Sequence, residues 1–391
     1  MAGRPVVGDI RVQEVSRRDA RCTFTIVSQG GAVYGMPDRF LRQHAGGTDR
    51  TYAYLLVDHL RWLEFEGLSP TTVTFPDLQR YMAAVGAEYA GPFGRPWRPD
   101  RRPYSRSTLQ TLAACLKGFY VFQGSQGEGT DLAQAFRQHR LPSLADRRRM
   151  FLGHAVTQLP ANPLTPAKIR RRHPKMPPEG ARARLVETLQ EPRDRLAVTW
   201  LADGGFRVGE LCGLHLADLH LREDAGCGEC RTAHVHICHR ETNPNRARAK
   251  IKPDWDVEDG TVRGGMIRRA SAAMIHTYFE YMTTQYPRDA EHGMLLVQLH
   301  GPSRGEPWST AGLRGMLRRA GARENLGRVR PHQFRHGFAT GMLDASDGNA
   351  VIAREAGGWA SAATVEEIYG HPDVHDPKFA AALKHVWNEP L

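Results

Sequence analysis

The chain has 391 residues, 53 Lys and Arg against 42 Asp and Glu, and a formal net charge of +11. Such a length allows two or three domains with ample core, and the basic excess makes nucleic acid the first partner to test. The 6 cysteines are too few for a disulfide framework. No apolar run is long enough for a membrane helix and no signal peptide is read, so the expected compartment is the cytoplasm.

Residues 1–45 are mixed and Gly-bearing and predict no strong element. Thr51 to Gly67 predicts an amphipathic helix, with Tyr52, Leu55, Leu56, Leu60 and Leu63 at helical spacing and Gly67 as its stop. Pro76 to Val85 predicts a second helix. The Pro/Gly/Arg-rich stretch 90–104 predicts a loop, and Ser105 to Phe122 a third helix carrying Leu109, Leu112, Ala113, Leu116 and Phe119 on one face. Residues 46–140 thus read as a small helical domain behind a 1–45 extension.

Residues 141–178 change character. Arg140 to Lys175 holds nine Lys or Arg, a single acid, Asp146, and prolines at 142, 160, 163, 166 and 174. This reads as a basic interdomain linker suited to crossing a nucleic-acid backbone, with Arg147, Arg148, Arg149, Lys168, Arg170, Arg171 and Arg172 as its phosphate contacts. A solvated connector is compatible with the same composition.

From 179 to 391 the pattern is regular again. Helices are expected at 193–202, from Arg207, at 267–286, 310–320, 331 onward, 349–357, 364–369 and 379–387. A strand is expected at 233–240, with 251–257 as its returning partner across the turn "ETNPNRARAK". The fold class is therefore mainly α with a small β-sheet, the α+β part lying in the second half. No internal repeat or heptad pattern appears.

The chemistry gathers in three stretches. "RPHQFRHGFAT" (330–340) places His332, Arg335 and His336 on one helical face. The His pair has the spacing of a zinc protease, but Gln333 stands where that chemistry needs Glu, and Arg335 adds a fixed cation. The anion reading needs other residues to converge. "GGFRVGELCGL" (204–214) puts Arg207 at a helix start, where free N–H groups and a bidentate guanidinium suit a phosphate, with Glu210 one turn on to hold it. An ordinary surface ion pair is the alternative. "AGGWASAATVEEIYGH" (356–371) ends near Tyr369, 34 residues after Arg335. A phenol can attack phosphorus when cations offset the developing charge, although alone it reads as a packing aromatic.

Together these stretches resemble the tyrosine recombinases, or phage-type integrases. The family signature runs Arg, hairpin Lys, H-x-x-R, His or Trp, then Tyr. Here it reads Arg207, a hairpin lysine, His332 and Arg335, Trp359 and Tyr369, and the resemblance spans residues 48–388. It implies a helical core-binding domain followed by a catalytic domain. Tyr369 would attack a DNA phosphate to leave a 3′-phosphotyrosyl link, Arg207 and Arg335 would grip the non-bridging oxygens, and His332 would donate or move a proton. A lysine would protonate the 5′-oxygen. Lys250 and Lys252 share a strand face; Lys250 is preferred because it follows "ARA" nearer the turn.

The resemblance implies no cofactor and no metal. The expected partners are double-stranded recombination sites, three further copies in a tetramer joined through the C-terminal helix, and accessory factors, all on a bacterial nucleoid. Two other readings share the fold: a type IB topoisomerase and a non-catalytic DNA-binding protein. Two departures stand out. "GGW" replaces the usual "LGH", so Trp359 can donate a hydrogen bond but cannot transfer a proton. The stretch "DAGCGECRTAHVHICH" (224–239) carries Cys227 and Cys230 in C-x-x-C spacing. With a single C-x-x-C, a polar hairpin that sends His234, His236 and Cys238 to one face is the preferred reading, and no metal is expected.

Overall fold

A computed structural model describes residues 10–18, 22–86, 95, 97–98, 102–149, 154–166, 174–223, 226–251 and 253–370. The chain divides into two compact units, Met1–Arg170 and Arg171–Leu391.

The first unit opens with a hairpin absent from the sequence expectation, β1 (Arg11–Ser16) and β2 (Cys22–Val27), paired antiparallel with Arg11 opposite Val27. The mostly exposed, partly charged β1 carried too little apolar signal for the pair to be read. Helices α1 (Gly35–Leu41), α2 (Thr48–Glu66), α3 (Phe75–Val85) and α4 (Arg106–Ser125) follow. Gly67 ends α2 in the left-handed conformation, φ 68°. Thr74 and Asp77 form a capping box on α3, and the Ser105 side chain caps α4. Trp62, Leu78, Tyr81, Leu116 and Phe119 fill the core between them.

The described residues of the basic stretch carry short elements. After α5 (Thr130–Ala135), β3 (His139–Arg140) pairs with β4 (Leu159–Pro160) around the short α6 (Leu144–Arg149). Leu164 joins the first core, and Asn162 donates to the Ala113 carbonyl at 2.7 Å.

The second unit contains α7 (Ala181–Thr188), α8 (Pro192–Asp203), α9 (Val208–Cys212), a 3-10 turn, and the strands β5 (Leu219–His220), β6 (His234–Ile237), β7 (Trp255–Glu258), β8 (Thr261–Gly264) and β9 (Met266–Arg269). Helices α10 (Ala272–Thr284), α11 (Thr310–Arg323), α12 (Pro331–Ala345), α13 (Ala350–Gly357) and α14 (Ala362–Tyr369) complete it. Sheet order is β5-β6-β9, with β7 and β8 a separate ribbon. Two expectations need correction. The strand at 255–258 pairs with β8, not with the strand at 234–237. The helix expected from 267 starts at Ala272, because Met266–Arg269 pairs with β6 and Ser271 then caps α10.

The main core of this unit holds Leu196, Trp200, Leu201, Leu296 and Phe334, each fully buried side chain contributing roughly 1.5–3 kcal/mol. A smaller cluster of Ala339, Leu343, Ala350, Ala353, Trp359 and Val365 joins α12, α13 and α14, with Tyr369 packed on its edge. The tyrosine-bearing helix therefore rests on the H-x-x-R helix through its own apolar contacts. Among the described residues, no helix is long and apolar enough to cross a membrane.

Candidate active site

Arg207 sits at the N-cap of α9, and the Glu210 carboxylate one turn on accepts both its guanidinium and its backbone N–H, the latter at 2.9 Å. Glu210 is 1% exposed, so this is no ordinary surface pair. Two more arginines crowd the same carboxylate. Arg268 Nη2 lies 3.7 Å and Arg335 Nη1 4.0 Å from Glu210 Oε2. One buried acid thus faces three guanidinium groups, and the surplus of positive charge favours an anionic ligand.

Arg335 is fully buried. It donates to the carbonyls of Gly205 at 2.7 Å and Gly357 at 2.8 Å, and its guanidinium lies 4.0 Å from the Trp359 ring centroid. Loss of water lowers its pKa to about 9, and Arg207 and Arg268 act in the same direction against the opposing pull of Glu210. Arg268, on β9, donates to the carbonyls of Gly204 and Ala356 at 3.2 and 2.7 Å, and to Gly357. Burial brings it down to about 10, with Arg207 adding to the fall. The open faces of the cluster are those of Arg207 and His332. The packed side of His332 loses water, and that loss, with the charges of Arg335 and then Arg207, lowers its pKa.

Tyr369 closes the site from α14. Its hydroxyl is 2.7 Å from His336 Nδ1, and the His336 ring is 4.4 Å from that of His332. Desolvation, His332 and Arg335 bring His336 down to about 4, so at neutral pH it is uncharged, and with its proton on Nε2 it accepts the phenol O–H at Nδ1. The Tyr369 pKa is raised by burial, while Arg335 and Arg207 pull it the other way.

The "GGW" departure has a steric cause. A Cβ on residue 357 would fall 1.4 Å from Trp359 Cζ3, and one on Gly358, at φ 58°, would fall 1.8 Å from Met266 Sδ. The indole folds over a bare backbone, and a larger residue at 357 would displace it.

The structure thus brings together Arg207, Glu210, His332, Arg335, His336, Trp359 and Tyr369. Lys250 is exposed on the 241–254 loop. That loop packs on α9, where a Cβ on Gly209 would fall 2.5 Å from the Arg248 carbonyl oxygen. No contact among the described residues joins Lys250 to the cluster, and Lys252 lies outside them. Arg147 is exposed on α6. Arg148 and Arg149 belong to the same helix, but their side chains lie outside the described residues, as do Lys168, Arg170, Arg171, Arg172 and the helix expected at 379–387.

Sequence reading missed Arg268, which looked helical, and a cavity of about 700 Å³ beside the cluster. Arg207, Arg314, Arg318, Arg328 and Arg330 contribute its cations, and His332 also lines it. Arg314 and Arg318 are four apart on α11, so helical spacing alone could have placed them on one face.

Arg207, the H-x-x-R of His332 and Arg335, and Tyr369 all lie in the span that the phage integrase family model matches. The chain belongs to the tyrosine recombinases. The phage integrase family model matches residues 182–375. Transposase A of transposon Tn554 from Staphylococcus aureus is 22% identical over 194 residues, 50% of this chain and 48% of that protein. The chain therefore spans about half the length of that relative. A tyrosine recombinase XerC of Roseiflexus is 24% identical over 73% of this chain and 71% of its own. The Tn1549 transposon integrase, solved in complex with transposon right end DNA, superposes with a TM-score of 0.54 at 12% identity, covering 90% of this chain and 98% of that one. This likeness supports the fold: mainly α, with small sheets, as expected.

Proposed function

We propose that this tyrosine recombinase is a site-specific DNA recombinase that cleaves and rejoins strands through Tyr369. One observation carries the reading: the Tyr369 hydroxyl, hydrogen-bonded to neutral His336, stands beside a buried arginine cluster that opens on an arginine-lined cavity. A DNA backbone laid in that cavity would meet Arg314, Arg318, Arg328 and Arg330, which position it without reading sequence. The scissile phosphate would sit at Arg207 and His332, the accessible part of the cluster.

In the forward step Tyr369 Oη bonds to phosphorus as the bond from phosphorus to the 5′-oxygen breaks. His336 accepts the phenol proton, and Lys250 gives a proton to the departing 5′-oxygen. Arg207 offsets charge on the non-bridging oxygens, and Arg335 does so after letting go of one of its carbonyl partners. A 5′-hydroxyl from a second strand then reverses the step and completes the exchange. The bond energy is kept in the phosphotyrosyl ester, so the scheme uses no nucleotide. The transposase and transposon integrase among the similar proteins favour a mobile element as the setting. Duplex DNA sites, a tetramer formed through the C-terminal residues, accessory factors and a place on the bacterial nucleoid belong to the same proposal.

Nicked suicide DNA carrying the element's end sequence tests it. The expected result is a covalent protein–DNA adduct on denaturing electrophoresis and Holliday junctions with paired sites. An adduct with relaxation but no junctions would indicate a type IB topoisomerase, and binding without an adduct a non-catalytic DNA-binding protein.

A further inference from the structure

We infer that the β5–β6 pair and the loop that joins its strands hold a structural zinc site formed by His220, Cys227, His234 and His236. The ligating atoms of these four side chains all lie within 4.8 Å of one another. His220 and His234 are directly opposed across the β5–β6 pair. His236, two residues on, shares the face of His234, and Cys227 arrives from the connecting loop.

Hydrogen bonding fixes the histidine tautomers. His234 Nδ1 is 2.6 Å from the Thr232 carbonyl, and His236 Nδ1 is 2.8 Å from the Gly264 carbonyl. A carbonyl oxygen only accepts, so both Nδ1 atoms carry the proton. In the neutral rings both Nε2 atoms are then lone-pair acceptors, yet they face each other at 3.1 Å. Cys227 Sγ stands 3.3 Å from His234 Nε2. His220 Nδ1 is buried with no hydrogen-bond partner. A thiol proton on Cys227 can serve only one of these lone pairs, whereas a cation serves all of them, in a pocket where His234 and His236 are fully buried and Cys227 is 4% exposed.

The geometry and chemistry select the ion. Zn–N near 2.0–2.1 Å and Zn–S near 2.3 Å give tetrahedral edges of roughly 3.3–3.6 Å, close to the 3.1 and 3.3 Å separations at His234 Nε2 and inside the 4.8 Å limit of the whole set. One thiolate and three imidazoles suit Zn²⁺ rather than Mg²⁺ or Ca²⁺, which take oxygen. Backbone carbonyls on the distal ring nitrogens are the usual outer partners of zinc-bound histidines. Four protein ligands leave no open position, so the ion would be structural. It would clamp β6, whose Val235 pairs with Arg268 of β9, and thereby steady the strand that presents Arg268 to the active-site carbonyls. The absence of metal expected from a single C-x-x-C gives way here. Cys230 is not in the set, and its sulfur lies by Thr232 Oγ1 at 3.4 Å.

The test uses full-length, untagged protein. Elemental analysis should find about one zinc per chain. Cys227→Ser and His236→Ala should each lose at least four-fifths of it, while Cys230→Ser keeps it. Replacement of zinc by Co²⁺ should give tetrahedral d–d bands and a thiolate-to-cobalt absorption in the wild-type protein, a readout that survives if a variant fails to fold. Chelation should lower the Tm, with recovery on adding Zn²⁺ but not Mg²⁺. Protein with less than about a tenth of an ion per chain after growth in zinc, an octahedral cobalt spectrum without the thiolate band, or full zinc retention in Cys227→Ser would overturn the assignment, and so would loss of zinc in Cys230→Ser.

Discussion

The Tyr369 hydroxyl lies 2.7 Å from His336 Nδ1, so the candidate nucleophile is already paired with a neutral acceptor from the neighbouring helix. We predict that His336→Ala slows single-turnover cleavage by about 10²-fold or more, the usual contribution of a positioned acid–base group, and leaves DNA affinity unchanged. His336→Gln, which keeps an acceptor but not a base, should recover only part of the loss. An unchanged cleavage rate in His336→Ala would remove it from the reaction.

The same histidine gives stability a pH dependence. Its pKa is lowered from 6.5 to about 4 in the folded chain. Below about pH 6.5 the unfolded chain takes up a proton here that the folded chain refuses until about pH 4. The contribution of neutral His336 is therefore complete above that window and falls as pH drops through it. His59 in the first unit, brought down to about 3 by complete burial, acts in the same sense. Denaturant melts should show stability falling between pH 6.5 and 4, and His336→Ala should flatten part of that slope. A slope identical in the variant would contradict this origin.

Among the described residues, Glu210 is the one carboxylate paired with Arg207, Arg268 and Arg335. Removing a buried charge partner typically costs about 3–5 kcal/mol, and Glu210→Gln should lose stability on that scale, with sulfate or phosphate restoring part of it. Denaturant melts with and without sulfate check this. A loss under about 1 kcal/mol would mean the arginines are held by their carbonyl partners alone.

The cavity arginines should govern affinity rather than chemistry. Arg314→Ala and Arg318→Ala should each reduce the slope of log affinity against log salt by about 1 if each meets one phosphate. Titrations of binding at several salt concentrations read this directly. Both variants should cleave at wild-type rates once saturated with DNA. A normal salt slope would place the DNA backbone elsewhere.

Lys250 should act on the leaving group. Lys250→Ala should cleave normal DNA poorly and a 5′-bridging phosphorothioate nearly as fast as wild type, because sulfur leaves without a proton. Rescue of Lys252→Ala instead would reassign the acid, and rescue of neither would place it in another residue.

Helical spacing alone put His332, Arg335 and His336 on one face, and the grouping of Arg207 and Tyr369 with them came from the resemblance to the tyrosine recombinase signature. Arg268 was not legible in either way. It sits in a strand of four residues that pairs with β6, where its own partner is Val235 far upstream, and "MIRRASAAM" runs without a break into a helix. Strand assignment there depends on a partner that local pattern cannot supply. The hairpin at 11–27 escaped for a related reason, since β1 is mostly exposed and the burial of Thr25, Ile26 and Val27 in β2 follows no alternating pattern. The histidine cluster was half legible. Alternation placed His234 and His236 together, but the contribution of His220 needs the β5–β6 register, and the choice of Cys227 over Cys230 needs the path of the loop.

The most direct measurement is the identity of the residue bound to DNA. Wild-type protein trapped on nicked suicide DNA, digested and sequenced by mass spectrometry, should carry the nucleotide on Tyr369 through a 3′-phosphate. Tyr369→Phe should bind the same DNA with unchanged affinity and form no adduct. A phosphotyrosyl link retained in Tyr369→Phe, or mapped to another residue in the wild type, would contradict the account.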